Sequence, residues 1–239
     1  MTLFLANSLL DGFLLSNGIG KGIVAVQLLF SVAMFAVIIG KWRELKYAAS
    51  SARRFRHDFA GSGGVLEYYM SRRPSVCTGP ELIYKETCEA LMKVVSPGRR
   101  SLLAGHDEGA SALTKREIGL VESACESILA DELTRVERAM PVISTTVALS
   151  PMLGLLGTVW GVLDAFADMG TAGSANLASI APSISSALVT TVVGLIIAIP
   201  GVCFYDALKS KIGDAKRYME GFADELTSLI ACEYQGSEA

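Results

Sequence analysis

Charge is what this sequence withholds over long stretches. Gly22–Gly40, Ala139–Leu163 and Met169–Tyr205 contain no Asp, Glu, His, Lys or Arg. Each run matches or exceeds the roughly 20 apolar residues that a helix needs to cross the hydrocarbon core of a bilayer. A water-soluble domain seldom carries such runs, or reaches a mean hydropathy of +0.43. Histidine is scarce too: His57 and His106 are the only two in 239 residues, which argues against a histidine-based metal centre. Five cysteines, at 77, 88, 125, 203 and 232, show no CxxC or other metal-ligand spacing. Four of them lie in or beside segments expected in the cytoplasm, where disulfides seldom persist. No metal or cofactor is expected. The serines of the apolar runs have no histidine partner there, which removes a Ser-His triad. Gly18–Lys21 (Gly-Ile-Gly-Lys) is too short and too poorly placed for a phosphate loop. No enzyme is indicated. A net charge of −3 argues against a nucleic-acid surface.

What is present organises the chain as a three-span membrane protein. Beyond the first run, Lys41, Arg43, Lys46, Arg53, Arg54 and Arg56 outnumber Glu44 and Asp58. Basic residues close to a span end mark the cytoplasmic side, and Trp42 stands where an interfacial anchor is favoured. After the third run, Lys209, Lys211, Lys216 and Arg217 outnumber Asp206 and Asp214. Both biases agree on a periplasmic N-terminus and a cytoplasmic C-terminus. The expected segments are residues 1–20 as a periplasmic or interfacial start and 21–41 as the first span. A cytoplasmic helical region follows over 42–139, with 140–164 and 178–205 as the second and third spans. Residues 165–177 form a short outer loop and 206–239 a cytoplasmic tail. Leu3–Leu15 reads as a short interfacial helix or a lead into the first span, and it lacks the basic start of a cleaved signal.

Within the cytoplasmic region, glycine and proline place breaks at Gly61–Gly64, Ser71–Pro80 and Ser96–Gly109, with a helix over Pro80–Val95. From about Ala110 to Met140, Leu113, Ile118, Val121, Cys125, Ile128, Leu133 and Val136 recur at helical intervals. Charges between them, Glu132 and Arg135 included, are expected on a wet or intersubunit face.

The last two spans differ in kind from the first. Val24–Ile39 offers only Gln27 and Ser31 as side-chain hydrogen-bonding groups and carries no ion pathway on its own. The second span holds Ser144, Thr145, Thr146, Ser150 and Thr158 with Gly154, Gly157 and Gly161. The third holds Ser183, Ser185, Ser186, Thr190, Thr191 and Gly194. Small residues let helices approach closely in lipid, and hydroxyls hydrogen-bond across the contact. Packing alone accounts for the glycines. Ser186, Thr190 and Thr191 fall within about 1.5 turns, close enough to line a narrow wet path. A hydroxyl relays hydrogen bonds but does not store charge. Any ion-driven device built from these spans therefore takes its titratable group from another subunit.

Pro151-Met-Leu-Gly-Leu-Leu-Gly-Thr-Val-Trp-Gly161, with Leu177-Ala-Ser-Ile-Ala-Pro-Ser-Ile-Ser-Ser-Ala-Leu-Val-Thr-Thr-Val-Val-Gly-Leu-Ile-Ile-Ala-Ile-Pro200, resembles the TolQ/ExbB/MotA family of proton-channel proteins, nearest its TolQ and ExbB branches. The resemblance implies an all-α membrane protein of three transmembrane helices with long cytoplasmic helical extensions, assembled as a pentameric ring in the bacterial inner membrane. It implies as partners two copies of a TolR/ExbD-type single-span protein with a membrane aspartate, and a TolA/TonB-type protein. Proton flow would turn the partner inside the ring and deliver work to the periplasm. By this resemblance Thr158 and Thr191 face the pore, with Thr190 and Ser186 beside them. Pro151, Gly154, Gly157, Gly161, Pro182, Gly194 and Pro200 match packing and kink positions. Many relatives have a glutamate where this chain has Ser186, so a second titratable site is missing here. The leading expectation is a Tol-Pal-type stator subunit. The alternatives are an ExbB-type subunit energising TonB-dependent uptake, or a non-conducting membrane scaffold.

Overall fold

The computed structural model describes residues 18–61, 64–71, 78–95, 112–172 and 177–234, all in or between helices. The expected segments at Leu3–Leu15 and Ser96–Gly109 lie outside the described residues. Among the described residues six helices follow in order: α1 (Gly18–Ala60), α2 (Val65–Ser71), α3 (Pro80–Val94), α4 (Lys115–Glu137), α5 (Met140–Ala172) and α6 (Leu177–Tyr234). Three stretches, in α1, in α4–α5 and in α6, are long and apolar enough to cross a membrane. The first helix ends at Ala60, before the marked Gly61, and the third begins at the marked Pro80. One expectation is corrected: the outer loop expected over residues 165–177 is helical as far as Ala172. No helix breaker precedes Gly170 there, and a helix need not stop where the hydrocarbon core does.

The chain divides into two compact units, Met1–Lys41 with Ala139–Lys209, and Trp42–Arg138 with Ser210–Ala239. The first unit turns much of its apolar surface outward. Leu28, Leu29 and Val32 of α1, Met152, Leu155 and Phe166 of α5, and Leu188, Ile196 and Ile199 of α6 are all exposed. Its interior takes polar side chains as well: Gln27, Thr146, Ser150, Ser186 and Thr190 are buried alongside Met34, Ile143 and Leu208. A membrane-spanning bundle is built this way, because hydrocarbon outside gives apolar side chains no reason to hide.

The second unit has an ordinary apolar core. Phe55, Phe59, Tyr68, Tyr84 and Phe222 form a cluster with ring centroids 5.4–6.2 Å apart, mostly edge to face. Edge-to-face rings gain beyond the area they bury. Burial pushes the Cys88 thiol up to about 12 and raises Cys125 as well, so both behave as small hydrophobes. The C-terminal end of α6 is stitched into this core. Tyr234 O accepts from Leu113 N at 2.7 Å, and Glu233 Oε2 accepts from Val65 N at 3.1 Å.

Local signals explain where α3 and α4 start. Thr114 and Glu117 form a reciprocal capping box at the head of α4. At α3, Pro80 supplies a fixed φ at the first turn, while Gly79 adopts φ 65°, a conformation that favours glycine. Gly79 N donates to Glu132 Oε1 at 2.8 Å, and Arg135 Nη2 donates to the same oxygen at 2.7 Å. Glu132 is only 3% exposed, so its expected place on a wet face is corrected. It shares the buried stripe of α4 with Val121, Cys125 and Val136. Removing this carboxylate leaves a buried N–H without its acceptor. Glu132→Ala is expected to cost about 2 kcal/mol and Glu132→Gln about half that. Thermal unfolding of the full-length protein in detergent, followed by circular dichroism, checks both values; equal midpoints for Glu132→Ala and the parent would contradict the clasp.

A hydroxyl-lined contact between two spans

Helices α5 and α6 meet along a line of small residues, and the contacts order themselves antiparallel. A Cβ on Gly161 would meet Ala187 Cβ at 2.5 Å, and one on Gly157 would strike the Thr190 side chain. A Cβ on Gly154 would lie 2.8 Å from Thr191 Cα and 3.0 Å from Thr190 O. On the opposite helix, a Cβ on Gly194 would lie 2.5 Å from Ser150 O. The steps of three and four between Ser150, Gly154, Gly157 and Gly161 place them on one face of α5. With no side chain in the way, backbone meets backbone. Pro151, Pro182 and Pro200 are interior residues of these helices. Each removes one N–H from the ladder and frees a carbonyl one turn back.

The close approach brings hydroxyls onto backbone oxygens. Thr191 Oγ1 donates to Gly154 O at 2.9 Å. Thr190 Oγ1 lies 3.1 Å from the same carbonyl and 2.7 Å from Ala187 O of its own helix. Thr190 is enclosed, whereas Thr191 is half-buried. The structure therefore brings Gly154, Thr190 and Thr191 to a single point. It does not bring Thr158 or Ser186 to that carbonyl. Thr158, one turn on from Gly154 and half-buried, donates to Leu155 O at 2.8 Å, and buried Ser186 donates to Ser183 O at 2.9 Å.

Every one of these hydroxyls thus spends its proton on a backbone carbonyl and keeps its lone pairs. The face is ready to accept a hydrogen bond, and it donates only after a hydroxyl rotates away from its carbonyl. No side chain along it ionises in the carboxylate, imidazole or amine range. Among the described residues, no group of three or more His, Cys, Asp or Glu is placed to hold a metal ion.

Sequence reasoning passed over one participant. Gln27 of α1 is completely buried, and its Nε2 donates to Ser150 O at 3.0 Å and, more loosely, to Thr190 O at 3.4 Å. The signal was available: a carboxamide in the middle of an apolar span needs partners. Which helices would supply them was not readable from the pattern.

The description of the MotA/TolQ/ExbB proton channel family matches residues 94–221. The Tol-Pal system protein TolQ of Haemophilus influenzae is 30% identical over 227 residues, covering 92% of each chain. The biopolymer transport protein ExbB of Pseudomonas putida is 31% identical over 133 residues, covering 54% of this chain and 40% of its own. A putative ExbB-like protein of Helicobacter pylori is 43% identical over 89 residues, covering 37% of this chain and 46% of its own.

Substitution at the contact separates close approach from mere helix content. Gly154→Ala is expected to force the two helices apart at a cost of about 1–3 kcal/mol. Gly170→Ala, where nothing lies within 4 Å, is expected to be neutral or slightly stabilising. Unfolding midpoints of the two variants, measured in the same detergent, check the contrast.

Proposed function

The chain belongs to the MotA/TolQ/ExbB proton channel family, and from that premise we propose that it is the ring-forming subunit of a Tol-Pal-type stator driven by the proton motive force. Its family is one of channel subunits rather than enzymes. In this reading five copies enclose two copies of a TolR/ExbD-type single-span protein, with a TolA-type protein as the recipient of the work. Residues 21–41, 140–164 and 178–205 cross the inner membrane, with the N-terminus periplasmic and the C-terminus cytoplasmic. The Tol branch is supported over the ExbB branch by the alignment to the Haemophilus TolQ, which runs through nearly the whole chain.

The observation that carries this reading is the convergence of Thr190 and Thr191 on the Gly154 carbonyl, in a contact without ionisable side chains. Such a face serves an acid delivered from outside. While the partner's aspartate is protonated, the Thr191 oxygen accepts its O–H without disturbing the bond to Gly154. Once the aspartate is ionised, the hydroxyl turns from Gly154 and donates to the carboxylate. That exchanges a neutral hydrogen bond, worth about 1 kcal/mol net, for a charge-assisted one roughly twice as strong. Thr158 extends the path along α5. Thr190, engaged by two carbonyls, moves less freely, and Ser186 holds water where a carboxylate would otherwise stand.

Proton flux in inverted membrane vesicles containing the whole complex tests the assignment. Thr191→Ala is expected to lower partner-dependent flux by about tenfold or more, and Thr191→Ser to keep most of it. Unchanged flux in both Thr158→Ala and Thr191→Ala would remove these residues from the path. Native mass spectrometry of the gently extracted complex tests the assembly. Five copies with two of a small aspartate-bearing protein support the stator; a reproducible homo-oligomer alone, after controls for detergent loss, supports the scaffold.

A further inference from the structure

Gln27 is the only polar side chain of α1 buried in the first unit's contact with α5 and α6, among the described residues between Gly22 and Gly40. Its orientation is fixed by chemistry. Two backbone carbonyls, Ser150 O and Thr190 O, face one end of the carboxamide, so that end is the NH2 group. The reverse orientation would set three oxygens against one another. As a result Oε1 is enclosed and meets no donor among the described residues. The side chain thus leaves one polar atom unmatched while both amide hydrogens reach toward neighbouring helices.

The place it occupies gives the arrangement its effect. Ser150 lies one turn before Gly154 on α5, and Thr190 immediately precedes Thr191 on α6. Between them, a Cβ on Gly194 would lie 2.9 Å from Gln27 Nε2 and 2.5 Å from Ser150 O. The carboxamide therefore sits against both helix backbones within one turn of the carbonyl that receives the threonine hydroxyls. A small shift between α5 and α6 there changes whether Thr191 Oγ1 reaches Gly154 O or swings away from it.

We propose that Gln27 is a positioning residue for proton transfer: its carboxamide bridges Ser150 O and Thr190 O and so sets the distance across which the Thr191 hydroxyl switches partners. The first span then takes part in the transfer without touching the proton. This rests on the channel reading above for its link to transport, while the bridge itself stands on geometry alone.

Two substitutions of Gln27, one reporter cysteine and two readouts, all in the full-length chain with its membrane partners, separate these parts. Gln27→Leu keeps an apolar volume but removes both donors, and partner-dependent proton flux is expected to fall about tenfold at every pH. Gln27→Glu keeps shape and donates one hydrogen bond only while its carboxyl is protonated; once ionised it repels both carbonyls. No charged residue on α5 or α6 lies within the runs that pack against position 27, and Lys21 and Lys41 of α1 lie beyond a helical turn to either side. Asp164, Cys203 and Tyr205 are several turns from Ser150 and Thr190. The Gln27→Glu variant is therefore expected to retain flux at acidic pH and lose it as pH rises, beyond any loss shown by the parent. A residue that merely filled space would give no such profile.

The second readout does not depend on transport. Maleimide labelling of Thr191→Cys, quantified by peptide mass spectrometry, is expected to change at least about threefold in rate when Gln27→Leu is added. Parent-like flux and pH profile in both Gln27 variants overturn the positioning role. If the parent itself carries no proton flux, the channel reading fails, and labelling decides the bridge: a changed rate upholds it, and an unchanged rate overturns it.

Discussion

Hydrocarbon offers no hydrogen bonds, and that constraint organises the first unit around the carbonyls of α5 and α6. Each hydroxyl in the contact, and the one buried carboxamide, has to find its partner inside the protein. Glycines at 154, 157 and 194 let the helices approach until side chains of one reach the backbone of the other. Thr190 and Thr191 then share the Gly154 oxygen, and Gln27 reaches the oxygens beside it. The close approach and the polar contacts depend on each other. Larger side chains would open a gap, and without the polar links the freed groups would face lipid.

The second unit obeys a different solvent and uses different means. Its aromatic cluster and buried aliphatic residues follow the usual removal of apolar surface from water. Its buried carboxylate, Glu132, is matched by two donors, one of them at the head of α3 where a helix favours negative charge. Lys216 pairs with Glu137 at 2.6 Å in the same unit, with more solvent access and correspondingly less weight. One chain thus holds a bundle that buries hydroxyls and a carboxamide while turning apolar side chains outward, and a bundle with an aromatic and aliphatic core.

Much of this was legible in the residues. Charge-free runs identify spanning helices because lipid tolerates little else, and small residues at helical spacing identify the face on which α5 meets α6. The head of α4 was written locally by Thr114 and Glu117. Other features needed the third dimension. Gln27 looked inert because nothing in a single span says which neighbouring carbonyls it will reach. Glu132 was set on the wet face by its charge, although its spacing from Val121, Cys125 and Val136 already put it on the buried stripe. The helical extension to Ala172 was missed because bilayer thickness sets where lipid ends, not where backbone hydrogen bonding ends. Which hydroxyl meets Gly154 was likewise settled by contact between helices: Thr158, one turn on, has the spacing to reach that carbonyl but donates to Leu155 O instead.

The last described turns of α6 have a consequence for how the protein comes into being. Phe222, Leu226, Ile230 and Tyr234 belong to the core that also holds Phe55 and Tyr84. Synthesis proceeds from the N-terminus, so Trp42–Arg138 emerges from the ribosome long before the strip of α6 that completes its core. Those early helices remain an unfinished half while the second and third apolar runs are translated and inserted. Closure across so long a loop comes late. The second unit thus becomes a finished object only after the later spans have been made, and a nascent chain interrupted before residue 222 leaves its aromatic face without the α6 side chains that cover it.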